Sequence, residues 1–263
     1  MTRLAHVLAV LGVVAVPAVG WFVEGWSGAT TLVVYWFETL AGSLFIAGRI
    51  LLHQRWAPRR GHHEYIAATT NRQRSKSSAS FLSGFLVANL SFTAAHGVFM
   101  AVILFLLSRN RQQGLAEIDW RSVGYGCLFV MAFLCVDFVV DLAGLRAWSF
   151  RQLETLAQRG FSRVIVVHLT LILGLLAVAL TDAPSTFFGV FVTLKTMASL
   201  SFVVPQWEPS RPPEWLRRAM NRVPNTRPGQ RFEDFWTESQ AEERARWERN
   251  EQPWPGRANR PVR

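Results

Sequence analysis

The chain has 263 residues, half of them hydrophobic and only 17% charged, yet it carries a formal net charge of +10. Ordinary globular chains are about a quarter charged, so so apolar and basic a chain must segregate its charges. That excludes a disordered chain, a disulfide scaffold and a typical water-soluble enzyme.

A bilayer core about 30 Å thick needs roughly 20 apolar residues in a helix. In chain order, six stretches meet or approach that length: 4–20, 30–52, 81–107, 122–145, 164–181 and 185–204. The last two are joined by Thr181-Asp-Ala-Pro184, which reads as a tight helical hairpin with a proline start. Met1-Thr-Arg3 and Val16-Pro-Ala18 also fit a cleaved leader, an alternative for the first stretch. The expected fold is an all-α, polytopic bundle of six transmembrane helices.

The basic residues set its direction. With the N-terminus inside, 24 of the 28 Lys and Arg fall on the cytoplasmic side: Arg3, the segment Arg49 to Lys76, the loop with Arg146 to Arg163, and the tail. Only Arg109, Arg111 and Arg121 fall on the other side, and Lys195 lies within a span. Positive charge collects on the cytoplasmic side, so both termini are expected there. The location expected is the plasma membrane of a bacterium or archaeon.

The domain reading is a transmembrane domain, 1–204, and a cytoplasmic Arg/Pro/Trp-rich tail, 205–263. Nine prolines break the tail into short pieces, leaving a largely irregular chain with one longer amphipathic helix at 231–250. Its Phe232, Phe235, Trp236 and Trp247 form a loose apolar face, and aromatics together with arginines suit a membrane interface or a partner's groove. The basic loop 53–80 attracts anionic lipid headgroups. Nine acids oppose the twelve arginines of the tail, which argues against nucleic acid. His62-His63 stands without the matched ligands of a metal site. Cys127 and Cys135 share one expected helix about 12 Å apart along its axis, too far to bridge. No cofactor or metal is implied.

Ionisable groups within spans are expensive and mark candidate sites. They are Glu38 and Arg49 in the second span, Asn89 and His96 in the third, Asp137 and Asp141 in the fourth, His168 in the fifth and Lys195 in the sixth. Depth along the spans places Glu38, His96 and Lys195 in one layer, compatible with a Glu38–Lys195 ion pair. Asp137, Asp141, His168 and Asn89 lie nearer the cytoplasm. Asp137 and Asp141, at i and i+4, share a helix face and are expected to repel, one keeping its proton. Arg49 is expected to snorkel to the headgroups, and His6 to lie too near the cytoplasmic end to matter.

Three segments carry a resemblance: Val34-Tyr-Trp-Phe-Glu-Thr39, Ala95-His-Gly-Val-Phe99, and Arg163-Val-Ile-Val-Val-His-Leu-Thr-Leu-Ile-Leu-Gly174 followed by Leu194-Lys-Thr196. Together they resemble an uncharacterised family of prokaryotic multi-pass membrane proteins, a domain of unknown function, over residues 30–200. The resemblance implies that Glu38, His96, His168 and Lys195 occupy recurring family positions. It departs at Thr39, where an Asn is usual, and at Ala198-Ser199, where an acid commonly follows. Three functions remain open: a small ion- or proton-coupled transporter or channel, a non-catalytic assembly subunit docking through its tail, and a membrane enzyme on a lipid-like substrate. The first is the leading reading, with no catalytic residues assigned.

Overall fold

The computed structural model describes residues 2–67, 80–109, 117–162, 165, 190, 192–197, 211–222 and 231–255. The described residues are helical, with no strand among them. Among the described residues, four helices are long and apolar enough to cross a membrane: α1 (Thr2–Phe22), α2 (Gly28–Trp56), α4 (Phe81–Arg109) and α5 (Trp120–Leu142). They correspond to the first four expected stretches. The fifth stretch lies outside the described residues apart from Ile165. Of the sixth, only Val190 and the helical segment 192–197 are described. Short elements complete the set: α3 (Arg60–His63), the 3-10 turn Leu145–Ala147, α6 (150–162), α7 (Glu214–Met220) and α8 (Phe232–Glu251).

The chain divides into two compact units. The first comprises residues 1–57, 82–148 and 152–204. Its turn between α1 and α2 uses Gly25, at φ +65°, a left-handed conformation that side chains resist. Two helix starts are then tied together. Ser27 caps α2 by accepting from the Thr30 amide at 3.1 Å, and Thr30 Oγ1 accepts from the Asp119 amide at 3.0 Å. Asp119 in turn caps α5, accepting from the Arg121 amide at 3.0 Å. The Ser122 hydroxyl, 2.6 Å away, holds the Asp119 carboxyl below the usual carboxylate range.

From these anchored ends α1 and α2 both pack along α5. Val13, Val34, Ala41, Val123, Val130 and Leu134 form their shared core. Gly12 lets α1 approach closely, since a Cβ there would lie 2.6 Å from the Phe133 ring. The outward faces of α4 and α5 are apolar: Val87, Val98, Val102 and Phe105 on one, Leu128, Phe129, Val136 and Val139 on the other are exposed. Both Cys127 and Cys135 are free.

The second unit comprises residues 58–81, 149–151 and 205–263. Here the loop after α2 is clasped by the end of α8. The Arg60 amide donates to Gln252 O at 2.7 Å and the Trp254 amide to Pro58 O at 3.2 Å. The Asn250 side chain, fully buried, satisfies both backbone groups of Ile66: Oδ1 accepts from its amide at 3.2 Å, and Nδ2 donates to its carbonyl at 3.0 Å. Arg246 Nη1 donates to the same carbonyl at 2.9 Å. Glu251 accepts from the Phe150 amide at 2.6 Å. Tyr65, Phe81, Phe150 and His62 stack beneath. His62 accepts from the Arg59 amide at 3.0 Å, and His63 stacks on Trp254 at 4.5 Å. The pair is thus divided between a turn cap and a ring stack.

Asn250→Leu would strand the Ile66 amide against an apolar side chain, with the carbonyl left to Arg246 alone. A buried polar group left unpaired costs about 1–3 kcal/mol. Limited proteolysis should therefore cut this variant near residues 66–67 at least tenfold faster than the parent chain.

A candidate intramembrane site of two charged centres

Two charged centres lie along α2 within the first unit. The first is built by Tyr35 and Glu38, three residues apart and so on one helix face. Lys195 Nζ donates to Glu38 Oε2 and sits 3.6 Å from the centroid of the Tyr35 ring. Lys195 and Glu38 are 2% and 3% exposed. The buried ammonium is thereby held by a carboxylate and an aromatic face together. Glu38 Oε1 has no hydrogen-bond partner among the described residues.

Trp36, between them, turns to α4. Its Nε1 donates to Thr93 O at 3.0 Å. Gly97 makes the approach feasible, because a Cβ there would lie 3.0 Å from that nitrogen. The Tyr-Trp-x-Glu and His-Gly-x-Phe stretches thus interlock through an indole and a missing side chain. His96 is buried on α4, beside Gly97 in sequence. Asn89, one layer along, turns back on its own helix, Nδ2 donating to Phe85 O at 3.0 Å.

The second centre corrects two expectations. Arg49 does not reach the headgroups: it is 3% exposed and lies between two carboxylates. Nη2 donates to Asp137 Oδ2 at 2.6 Å and Nε to Asp141 Oδ2 at 2.8 Å. The i, i+4 aspartates do share one helix face, and the guanidinium between them offsets the repulsion expected there. His6, set aside by its position, lies with Nδ1 2.7 Å from Asp137 Oδ1 and is 45% exposed. The reason is tertiary: α1, α2 and α5 come together at this level, and a charge in low dielectric takes the nearest opposite charge. His6, Asp137 and Asp141 offer ligand atoms all within 4.8 Å of one another, a spacing that suits a metal ion. The guanidinium already bridges the two carboxylates, so it supplies the positive charge that such an ion would bring. His168 lies outside the described residues.

A cavity of about 290 Å³ connects the two centres. Glu38, Thr39, Ser43 and Arg49 line it from α2, His6 from α1, Asp137 from α5 and Arg159 from α6. Thr39 and Ser43 donate their hydroxyl protons to Tyr35 O and Thr39 O at 3.0 and 2.9 Å. Their oxygens remain as acceptors in the wall. Between the polar groups the wall is apolar, with Val10, Val13, Ile46 and Leu134. Glu38 and Arg49 stand eleven residues apart, about 16 Å along a helix. Tyr35, Arg49, His6 and Arg159 were not legible as members of a site. Arg159 read as loop charge, and Tyr35 as part of a motif without a role.

The chain belongs to a family of unknown function, DUF6498, whose family model matches residues 1–214. Neither the curated proteins nor the solved structures contain a match to it.

Removing one partner of a buried ion pair strands the other and costs about 3–5 kcal/mol, whereas replacing both with neutral groups of like size is close to neutral. Lys195→Met should accordingly lower the melting temperature in detergent sharply. Adding Glu38→Gln to it should recover most of the loss. A double variant no more stable than Lys195→Met would show that the pair does not carry the stability.

Proposed function

We propose that the chain is an integral membrane protein of six spans with both termini cytoplasmic, a small ion- or proton-coupled transporter or channel. The cavity joining buried Glu38 to half-exposed His6 carries this reading. It brings titratable groups of both centres onto one cavity inside an apolar bundle, where such groups are costly and serve relays and solute sites. The apolar outward faces of α4 and α5 support lipid contact. In this reading α1 is a retained span, since it brings His6 and packs along α5. The basic loop and tail face anionic headgroups on the cytoplasmic side of a prokaryotic plasma membrane, with the tail open to a protein partner.

A non-catalytic assembly subunit is the second reading. The bridging of Asp137 and Asp141 by Arg49 favours it, because that network holds two helices together without any solute.

Orientation is checked by thiol labelling of single-cysteine variants lacking Cys127 and Cys135. Glu117→Cys should react with an impermeant maleimide on intact cells, and Arg60→Cys only after permeabilisation. The reverse pattern rejects the orientation. Flux is measured in proteoliposomes with an internal pH dye. The parent protein should dissipate an imposed pH gradient, and Glu38→Gln should slow this by about tenfold or more, as for loss of a proton-transfer group. Equal rates in the parent, Glu38→Gln and His96→Ala would reject the transport reading in favour of the assembly role.

A further inference from the structure

We infer that the cavity beside α2 binds a small, extended zwitterion, with a primary ammonium on Glu38 Oε1 and a carboxylate or phosphate on Arg159. Two unpartnered groups line the same space. Glu38 is 3% exposed; Lys195 takes Oε2 and leaves Oε1 without a donor among the described residues. Arg159 lines the cavity from α6, and its buried Nε likewise has no hydrogen-bond partner among the described residues. One group requires a donor, the other an acceptor.

The charge balance selects a ligand without net charge. Among the ionisable residues that line the cavity, Glu38 and Asp137 are balanced by Arg49 and Arg159, apart from His6. A simple amine or a simple carboxylate would leave one charge uncompensated in an apolar surround, which is costly. A zwitterion meets both orphaned groups and leaves the balance intact. A bare metal ion fits poorly, since hard cations gather six or more oxygens, and the wall beside Glu38 is largely aliphatic.

The spacing selects an extended molecule. Gly160, next to Arg159, packs against Ile46, where a Cβ would lie 2.6 Å from Cδ1. Ile46 follows Glu38 by eight residues, about 12 Å along the helix. Side chains reaching inward shorten that gap without closing it. An α-amino acid, with its two charges set close together, reaches less far than a molecule with a methylene chain between them. Charges separated by a methylene chain span the gap, and Val10, Val13 and Leu134 offer that chain an apolar wall. A free ω-amino acid and the ethanolamine phosphate of a lipid headgroup share this chemistry.

The inference rests on the transport reading for the purpose of the site, but binding is measured apart from flux. The probe is 6-aminohexanoate, titrated calorimetrically into the full-length chain in non-ionic detergent, with hexylamine and hexanoate as single-charge controls. The zwitterion should bind about tenfold or more tightly than either control, the value of one further charge-assisted contact. Arg159→Gln should lose that advantage and keep its affinity for hexylamine. Glu38→Gln should lose the zwitterion altogether; because that variant leaves Lys195 without its carboxylate, Arg159→Gln is the deciding one if it fails to fold. Competition by lysophosphatidylethanolamine assigns the occupant to a lipid headgroup, and its absence to a soluble molecule; either supports the site. Equal binding of all three probes, no binding in the millimolar range, or unchanged affinity in Arg159→Gln overturns it. Binding without transport in liposomes rejects the transport reading alone, whereas proton flux without zwitterion binding rejects this one.

Discussion

Arg49 lies between Asp137 and Asp141 because an isolated charge in an apolar bundle is unaffordable and three together are not. That contact fixes the level of α2 against α5, since the guanidinium must meet both carboxylates with separate nitrogens. It also brings in α1, whose His6 closes on the outer oxygen of Asp137. Once these helices are set in register, Val13, Val34, Val130 and Leu134 fall together as their common core. The apolar packing is extensive but non-directional, and many sliding registers would bury similar area. The charged bridge discriminates among them.

The same helix carries the other centre, and the contrast between the two is informative. Arg49 is held between its two aspartates. Glu38 is half satisfied, one oxygen on Lys195 and the other unpartnered among the described residues. A network that serves only packing gains nothing from an oxygen left over in a buried place. The aromatic face of Tyr35 holds Lys195 on one side, and the cavity lies beside Glu38. The centre at Arg49 thus has the character of a structural joint. The centre at Glu38 keeps an acceptor oxygen beside the cavity.

The second unit follows a different logic. Its cohesion is polar and backbone-directed, with Asn250 and Arg246 both reading Ile66 and Glu251 reading the Phe150 amide. The acidic first turn of α8, with Glu233 and Asp234, complements the helix dipole. Trp247 receives the Arg151 guanidinium on its face at 3.6 Å. An arginine- and aromatic-rich composition that suits a lipid surface here also builds a protein interior.

Much of the architecture needed only the chain itself. Four apolar helices, and the confinement of ionisable residues to a few positions within them, follow from local rules: a bilayer-length apolar run is legible without any partner. Pairing across helices was less legible, because it depends on rotation and level that no single segment contains. Depth along the spans was enough to match Glu38 with Lys195, since both sit near mid-span. It misassigned Arg49 and His6, since each is close enough to a helix end to look solvated when read alone. Asn250 and Arg159 looked like ordinary surface polar residues, and only the folded chain showed what each one meets. Sequence determines which groups must be neutralised or buried. The tertiary structure decides by whom, because opposite charges choose by distance in space and not along the chain.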